Sequence, residues 1–169
     1  MVAQEMARWN ATHGGAMHIL KYDSFLKYGI FGKFQFAGDN VPFCDTLSHA
    51  YAIPGPSNTC TYQPIVTPGN YECRRGIHHI NGKDGNLEEI ETFEILGIAE
   101  HSGLLFHPLN YQMQSEGCTG LGASRVRYDS NSDGRIDALD DEMITSSRAT
   151  FAAWMKRLDG VDSFMLQVM

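Results

Sequence analysis

The sequence predicts an α+β domain: a mostly antiparallel β core with one C-terminal amphipathic helix and a calcium-binding loop. Three observations predict it. From Met17 onward, short apolar–polar alternating runs are separated by clusters of Gly, Pro, Asn and Asp. One late stretch, 141–158, instead repeats its apolar residues with helical period. Just before it, 129–140 spaces oxygen-bearing side chains as a cation-binding loop does.

The 169 residues suit one domain with a real core, and 43% apolar with 20% charged content places the chain among globular sequences. A formal net charge of −7 argues against a nucleic-acid-binding surface, which needs clustered Lys and Arg. No apolar run is long enough to span a membrane. The four cysteines, Cys44, Cys60, Cys73 and Cys118, lack C-x-x-C spacing and read as free thiols.

Taken in order, 1–16 reads as an N-terminal arm, expected to dock on the domain or on a partner and to offer a route to oligomers. Residues 17–169 form the single β-rich domain. Alternation predicts strands over 17–22 and 29–36, a turn over 37–40 and a return strand over 41–47. The stretch 53–58 reads as a loop, and 67–70 as a turn leading into 71–73. Glycines and a polar tip predict a long surface loop over 76–86. Strands follow over 90–98 and 104–107, the second delivering His107 to a strand end. In the helix predicted over 141–158, Ile144, Phe151, Trp154, Met155 and Leu158 form the buried stripe. Acidic residues open it and Lys156 and Arg157 close it, each suiting the helix dipole. Phe164 begins a last strand, 164–168.

In 129–140, Asp129, Asn131, Asp133, Asp137 and Asp140 occupy loop positions 1, 3, 5, 9 and 12, with Gly134 at 6. Arg135, at position 7, supplies its backbone carbonyl, and Ile136 is expected to face the core. A hard cation that takes six to eight oxygens needs this arrangement, so Ca2+ is the expected cofactor. Asp140 stands where Glu is usual, a variation that resembles the loop of dockerin modules. With 125–128 extended, the loop precedes one helix only and has a structural role, stapling the segment after Cys118 to the helix start.

The second chemical feature is His107 followed by Cys118 within Ser115-Glu116-Gly117-Cys118. A thiol attacks as the thiolate, so a nucleophilic cysteine needs a base within reach. Gly117 is expected to turn the backbone sharply and to leave N–H groups free to hold an oxyanion.

Several phrases share one order: Gly29-Ile30-Phe31-Gly32, Phe43-Cys44-Asp45-Thr46-Leu47, Ile53-Pro54, Pro68-Gly69-Asn70-Tyr71, His107-Pro108-Leu109-Asn110 and Gly117-Cys118-Thr119-Gly120. From about Met17 to Val168, this order resembles an uncharacterised domain family of bacteriophages and prophages with an HxGN…GC core. That core in turn resembles the His…Ser-x-Gly-Cys motif of L,D-transpeptidases, which cut and rejoin peptidoglycan stem peptides. The resemblance implies Cys118 as nucleophile and His107 as base. It also implies an oxyanion site at the Gly117 and Cys118 N–H groups, Asn110 as an orienting group and Ser115 at the pocket wall. Leu109 replaces the family's glycine. Glu116 stands where the transpeptidases carry histidine and is expected to raise the thiol pKa.

The expected function is phage-associated processing of peptidoglycan peptides by acyl transfer, with peptidoglycan as partner. The alternative is a non-catalytic, calcium-stabilised virion or tail component whose partners are other virion proteins. A third reading, a glycan-binding module, rests on Trp9 and Tyr111 as an aromatic platform. The first residues lack a signal-peptide core, so synthesis in the host cytoplasm and incorporation in a virion are expected.

Overall fold

The computed structural model describes residues 17–82 and 84–169; the predicted arm and Trp9 lie outside them. The alternating runs become strands β1 (Met17–Leu26), β2 (Gly29–Gln35), β3 (Cys44–Ser48), β4 (Tyr51–Pro54), β5 (Cys60–Gln63) and β6 (Gly69–Asn81). Then follow β7 (Leu87–Ile95), β8 (Phe106–His107), β9 (Thr119–Gly122), β10 (Arg125–Arg127), β11 (Glu142–Ile144), helix α1 (Ser147–Arg157) and β12 (Ser163–Val168). Eight strands make one sheet in the order β7-β6-β12-β1-β2-β3-β9-β8, with β4–β5 and β10–β11 as separate hairpins. Pairing within the large sheet is antiparallel except for β1–β12 and β8–β9.

The sheet curls until its edge strands meet. Glu94 of β7 bridges to Leu105, the Ile95 N–H donates to the Leu104 carbonyl at 2.8 Å, and Thr92 Oγ1 donates to the Phe106 carbonyl. This near-closure removes most of the exposed edge that an open sheet would present. Inside it lies an aromatic core. Trp154 of α1 is fully buried with its ring 4.9–6.2 Å from those of Phe34, Phe93, Phe106 and Phe164, which belong to β2, β7, β8 and β12. One indole can meet rings from four strands only because the sheet wraps around it.

These findings correct the expected fold class. The described residues are 47% strand and 11% helical, a mostly β structure and not α+β. Two local rearrangements account for the shift. The stretch 76–86 is not a surface loop: Gly76 to Asn81 pairs residue for residue with Leu87 to Thr92 across a long hairpin. The backbone ladder outweighs the glycines and the polar side chains, which sit on exposed faces and cost little there. The helix also starts later than predicted. Glu142 to Ile144 pairs with Arg125 to Arg127, so the acidic residues before it belong to a β-hairpin. Ser146 then takes a left-handed conformation, φ 51°, at the helix start. No acidic residue lies in the first helical turn, whereas Lys156 and Arg157 do occupy the last.

Among the described residues no helix is long and apolar enough to cross a membrane.

Candidate functional site

The short parallel pair β8–β9 places the two chemical residues. Phe106 pairs with Thr119 and His107 with Gly120, so Cys118, one residue before β9, falls beside Leu105. The Leu105 N–H donates to Cys118 Sγ at 3.3 Å, and the thiol donates to the Gly103 carbonyl at 3.6 Å. His107 Nδ1 lies 3.0 Å from the Pro108 carbonyl oxygen. A carbonyl only accepts, so Nδ1 carries the hydrogen and Nε2 keeps its lone pair. His107 and Cys118 line one cleft of about 350 Å³, with His79, Met113, Gln114 and Ser115 on its walls.

Both groups are held neutral. Burial lowers the His107 pKa, opposed by the hydrogen bond to Pro108. Burial also raises the Cys118 thiol, offset in part by hydrogen bonds from Leu105 and Ser115. The Glu116 carboxylate, expected to be the cause, contributes no resolved part of that shift.

Ser115 is more than a wall. Its Oγ accepts the Cys118 N–H at 2.7 Å and the Gly117 N–H at 3.1 Å, occupying both donors expected to form the oxyanion site. Gly117 is glycine for packing, not for a left-handed turn: an added Cβ would come within 2.7 Å of Ile65 Cδ1 and 2.9 Å of Leu104 Cδ2. Leu109, in place of the family's glycine, is matched by Gly120, where an added Cβ would come within 2.4 Å of the Leu109 side chain.

Asn110 is held through its backbone. Its N–H donates to Gln114 Oε1 at 2.7 Å, and its carbonyl accepts from the Ile144 N–H at 3.1 Å. Its side chain lines a neighbouring cleft of about 700 Å³, which His107 also lines. The Asn110 Oδ1 is buried without a hydrogen-bond partner among the described residues.

Two residues that sequence reasoning missed, Tyr51 after β3 and Gln112 after β8, tie these segments together. Gln112 Oε1 accepts the Ala50 N–H at 2.9 Å, and its Nε2 donates to the Lys27 carbonyl at 2.7 Å. The Tyr51 hydroxyl donates to the Glu116 carbonyl. Together they clamp the stretch from Gln112 to Cys118 from outside. No local pattern marks either residue, because each partner lies at least 62 positions away.

No family model matches this chain, and no curated protein or solved structure matches it.

The acidic loop joins β10 to β11 as the tip of a hairpin and does not open the helix. Thus the expected staple between the Cys118 segment and the helix start is a closure of β10 on β11. The loop's side chains bond inward to its own backbone. Asp129 accepts the Asp133 and Gly134 N–H groups, Asn131 that of Asp133, Asp133 that of Arg135 and Asp137 that of Leu139. Asp140, only 2% exposed, accepts the Ser130 N–H at 3.1 Å and the Asp137 N–H at 2.8 Å, which hold its carboxyl below the usual range. Gly134, at φ 83°, makes the sharp turn that position 6 requires. Ile136, expected in the core, is 64% exposed, because a hairpin tip carries it away from the sheet.

The donor chemistry suits a hard cation, since every side chain in the set presents oxygen and retains free lone pairs. Among the described residues no three His, Cys, Asp or Glu side chains gather at metal-binding positions. Closing on an ion would require Asp129, Asp133 and Asp137 to draw together.

Proposed function

We propose that the chain is a thiol acyl-transfer enzyme acting on peptide carbonyls, with peptidoglycan stem peptides as the substrate class. One observation carries this reading. The fold lines one cleft with both His107, the last residue of β8, and Cys118, which precedes β9 level with Leu105, and the imidazole tautomer leaves Nε2 as base. In the step proposed, the Cys118 thiol proton passes to His107 Nε2 while Sγ attacks the substrate carbonyl. The tetrahedral oxyanion takes the Gly117 and Cys118 N–H groups as Ser115 Oγ moves off them. His107 returns the proton to the departing amine. An incoming amine or water then resolves the thioester, rejoining or hydrolysing the peptide. The similarity of the His…Ser-x-Gly-Cys order to that of L,D-transpeptidases supports the choice of substrate class.

Calcium belongs to the same proposal as a structural ion. Asp129, Asn131, Asp133, Asp137, Asp140 and the Arg135 carbonyl would hold it, and when bound it would fix the β10–β11 hairpin.

A second reading, a non-catalytic virion or tail component, is favoured by one feature: Ser115 occupies the oxyanion donors while burial keeps the thiol protonated. Mass spectrometry of purified sacculi incubated with wild-type protein and with Cys118→Ala tests the two. New muropeptides made only by the wild type support the enzyme. An unchanged profile, together with a Cys118 inert to a thiol probe, moves the reading to the structural component.

A further inference from the structure

An unpaired strand edge offers a row of N–H and C=O groups to any strand that reaches it, unless charge or proline prevents the pairing. The edge of β7 beyond Thr92 carries Glu88, Glu89 and Glu91, and the β10–β11 hairpin carries Arg125, Arg127 and Glu142. The β4–β5 hairpin is different. Tyr51–Pro54 and Cys60–Gln63 include no charged residue, and every one but Tyr62 is exposed. On β4 the edge is interrupted by Pro54, which has no N–H to give. On β5 it is intact. The Gly55 N–H donates to the Thr59 carbonyl at 2.9 Å, which makes Ile53–Thr61 and Tyr51–Gln63 the hydrogen-bonded pairs of the hairpin. The N–H and C=O groups of Cys60 and Tyr62 therefore point outward, and no described strand meets them. A groove of about 860 Å³ runs along this edge, walled on its other side by Phe25, Leu26 and Tyr28. Lys27 is the one charged residue among the described residues that line it, and Phe25 is 51% exposed.

We propose that β5 pairs with β5 of a second copy of this chain, antiparallel about a two-fold axis at Thr61. In this register Cys60 of each copy faces Tyr62 of the other, so the outward N–H and C=O groups of both residues are satisfied. Thr61 meets Thr61 of the second copy on the axis, where the two hydroxyls can bond each other. Thr61 shares its face with Ile53, its partner on β4, so an Ile-Thr-Thr-Ile row crosses the joined sheet. Asn58, at φ 58°, and Pro64, which lacks an N–H, bound the ladder at its two ends. Charge selects the occupant. A second copy brings a neutral edge to a neutral edge and an isologous interface of identical residues, whereas the same operation on β7 would set glutamates against glutamates. An acidic or basic peptide finds no counter-charge on β5 itself. So short a ladder makes a small interface, with an expected Kd of about 10 µM to 1 mM. The inference does not depend on the chemistry at Cys118.

Sedimentation equilibrium of the full chain, up to about 1 mM, should show a monomer–dimer equilibrium. Thr61→Lys sets two ammonium groups against each other on the axis and should weaken the dimer about tenfold. Because Thr61 is exposed, the melting temperature of the dilute variant should match that of the wild type. A cross-link then reads the register. In a Cys60→Ser background, Thr61→Cys should oxidise to a disulfide-linked dimer, because opposed residues of a non-bonded pair have Cα atoms about 4.5 Å apart, which a disulfide spans. Ile53→Cys in the same background should not cross-link, since both β5 strands lie between the two copies of that position. A wild type that stays monomeric at about 1 mM would overturn the proposal. So would a dimer that survives Thr61→Lys, or one that Ile53→Cys links as readily as Thr61→Cys.

Discussion

The cysteine cleft and the acidic loop are the two chemically dense regions of this molecule, and they are built in opposite ways. The side-chain hydrogen bonds of Asp129, Asn131, Asp133 and Asp137 each span five residues or fewer, and the loop is closed at its base by Asp140 accepting the Ser130 N–H and Ser130 Oγ accepting the Asp141 N–H. The cleft depends on strands and clamps from across the chain, among them Lys27, Ala50 and Tyr51. A region closed by local bonds writes its geometry into a short motif. A region closed by remote ones leaves only residue types to read.

The largest effect should separate the regions by chemistry. Cys118→Ala should abolish acyl transfer on sacculi, a loss of at least about a thousandfold, while leaving the melting temperature and its calcium response unchanged. A variant that kept its activity would remove the cleft from the mechanism. The pH dependence of alkylation sharpens the same point. Because burial raises the Cys118 thiol, its alkylation rate should keep climbing through the alkaline range, beyond the pH at which a free thiol has levelled off. A rate already flat at neutral pH would show a preformed thiolate.

Next comes packing under the cleft. Gly120→Ala should cost about 1–3 kcal/mol in denaturant unfolding, because its Cβ enters the space of Leu109. In a double-mutant cycle, Leu109→Ala should restore part of that loss in the Gly120→Ala background. Strict additivity would mean that the two side chains do not compensate.

Acid should act on the barrel that supports the cleft. Burial against Phe34, Phe36 and Phe164, together with nearby Arg157, pushes His18 down to about 4 from 6.5. The unfolded chain therefore binds the extra proton between those values. The stability that neutral His18 contributes is fully present above about pH 6.5 and is lost as pH falls toward 4, by about 3 kcal/mol. Chemical denaturation at pH 7 and pH 4, with His18→Phe as the variant that lacks this slope, checks it.

The smallest effects belong to the loop. Calcium should raise the melting temperature and a chelator should lower it, with Asp140→Ala losing the response. No shift in either direction would leave the loop an Asx-turn structure without an ion. Ile136→Thr should change stability by less than about 0.5 kcal/mol, since the side chain is already in solvent.

The sequence alone was enough for whatever depends on neighbours. Alternation marked β1 and β2, although β1 runs four residues further than read, the closing strand β12 began one residue earlier than read, and the turn that opens β6 carries Pro68-Gly69-Asn70. The apolar stripe identified Trp154 and Phe151 as core, and the spacing of 129–140 marked an acidic loop that turns sharply at Gly134. It also put His107 at a strand end. Only the tertiary structure decided the rest. Pairing with β7 turned glycine-rich 76–81 into strand, and pairing with β10 took 142–144 away from the helix. Curling of the sheet brought four strands to Trp154 and closed β7 on β8. Ser115 took the two N–H groups, and the start of α1 came to face Asn110 across a cleft. The reason is the same in each case. A turn or an Asx loop is stabilised by bonds a few residues long, which spacing encodes. A ladder or a cleft is stabilised by partners tens of residues away, and these meet only once the whole sheet has closed.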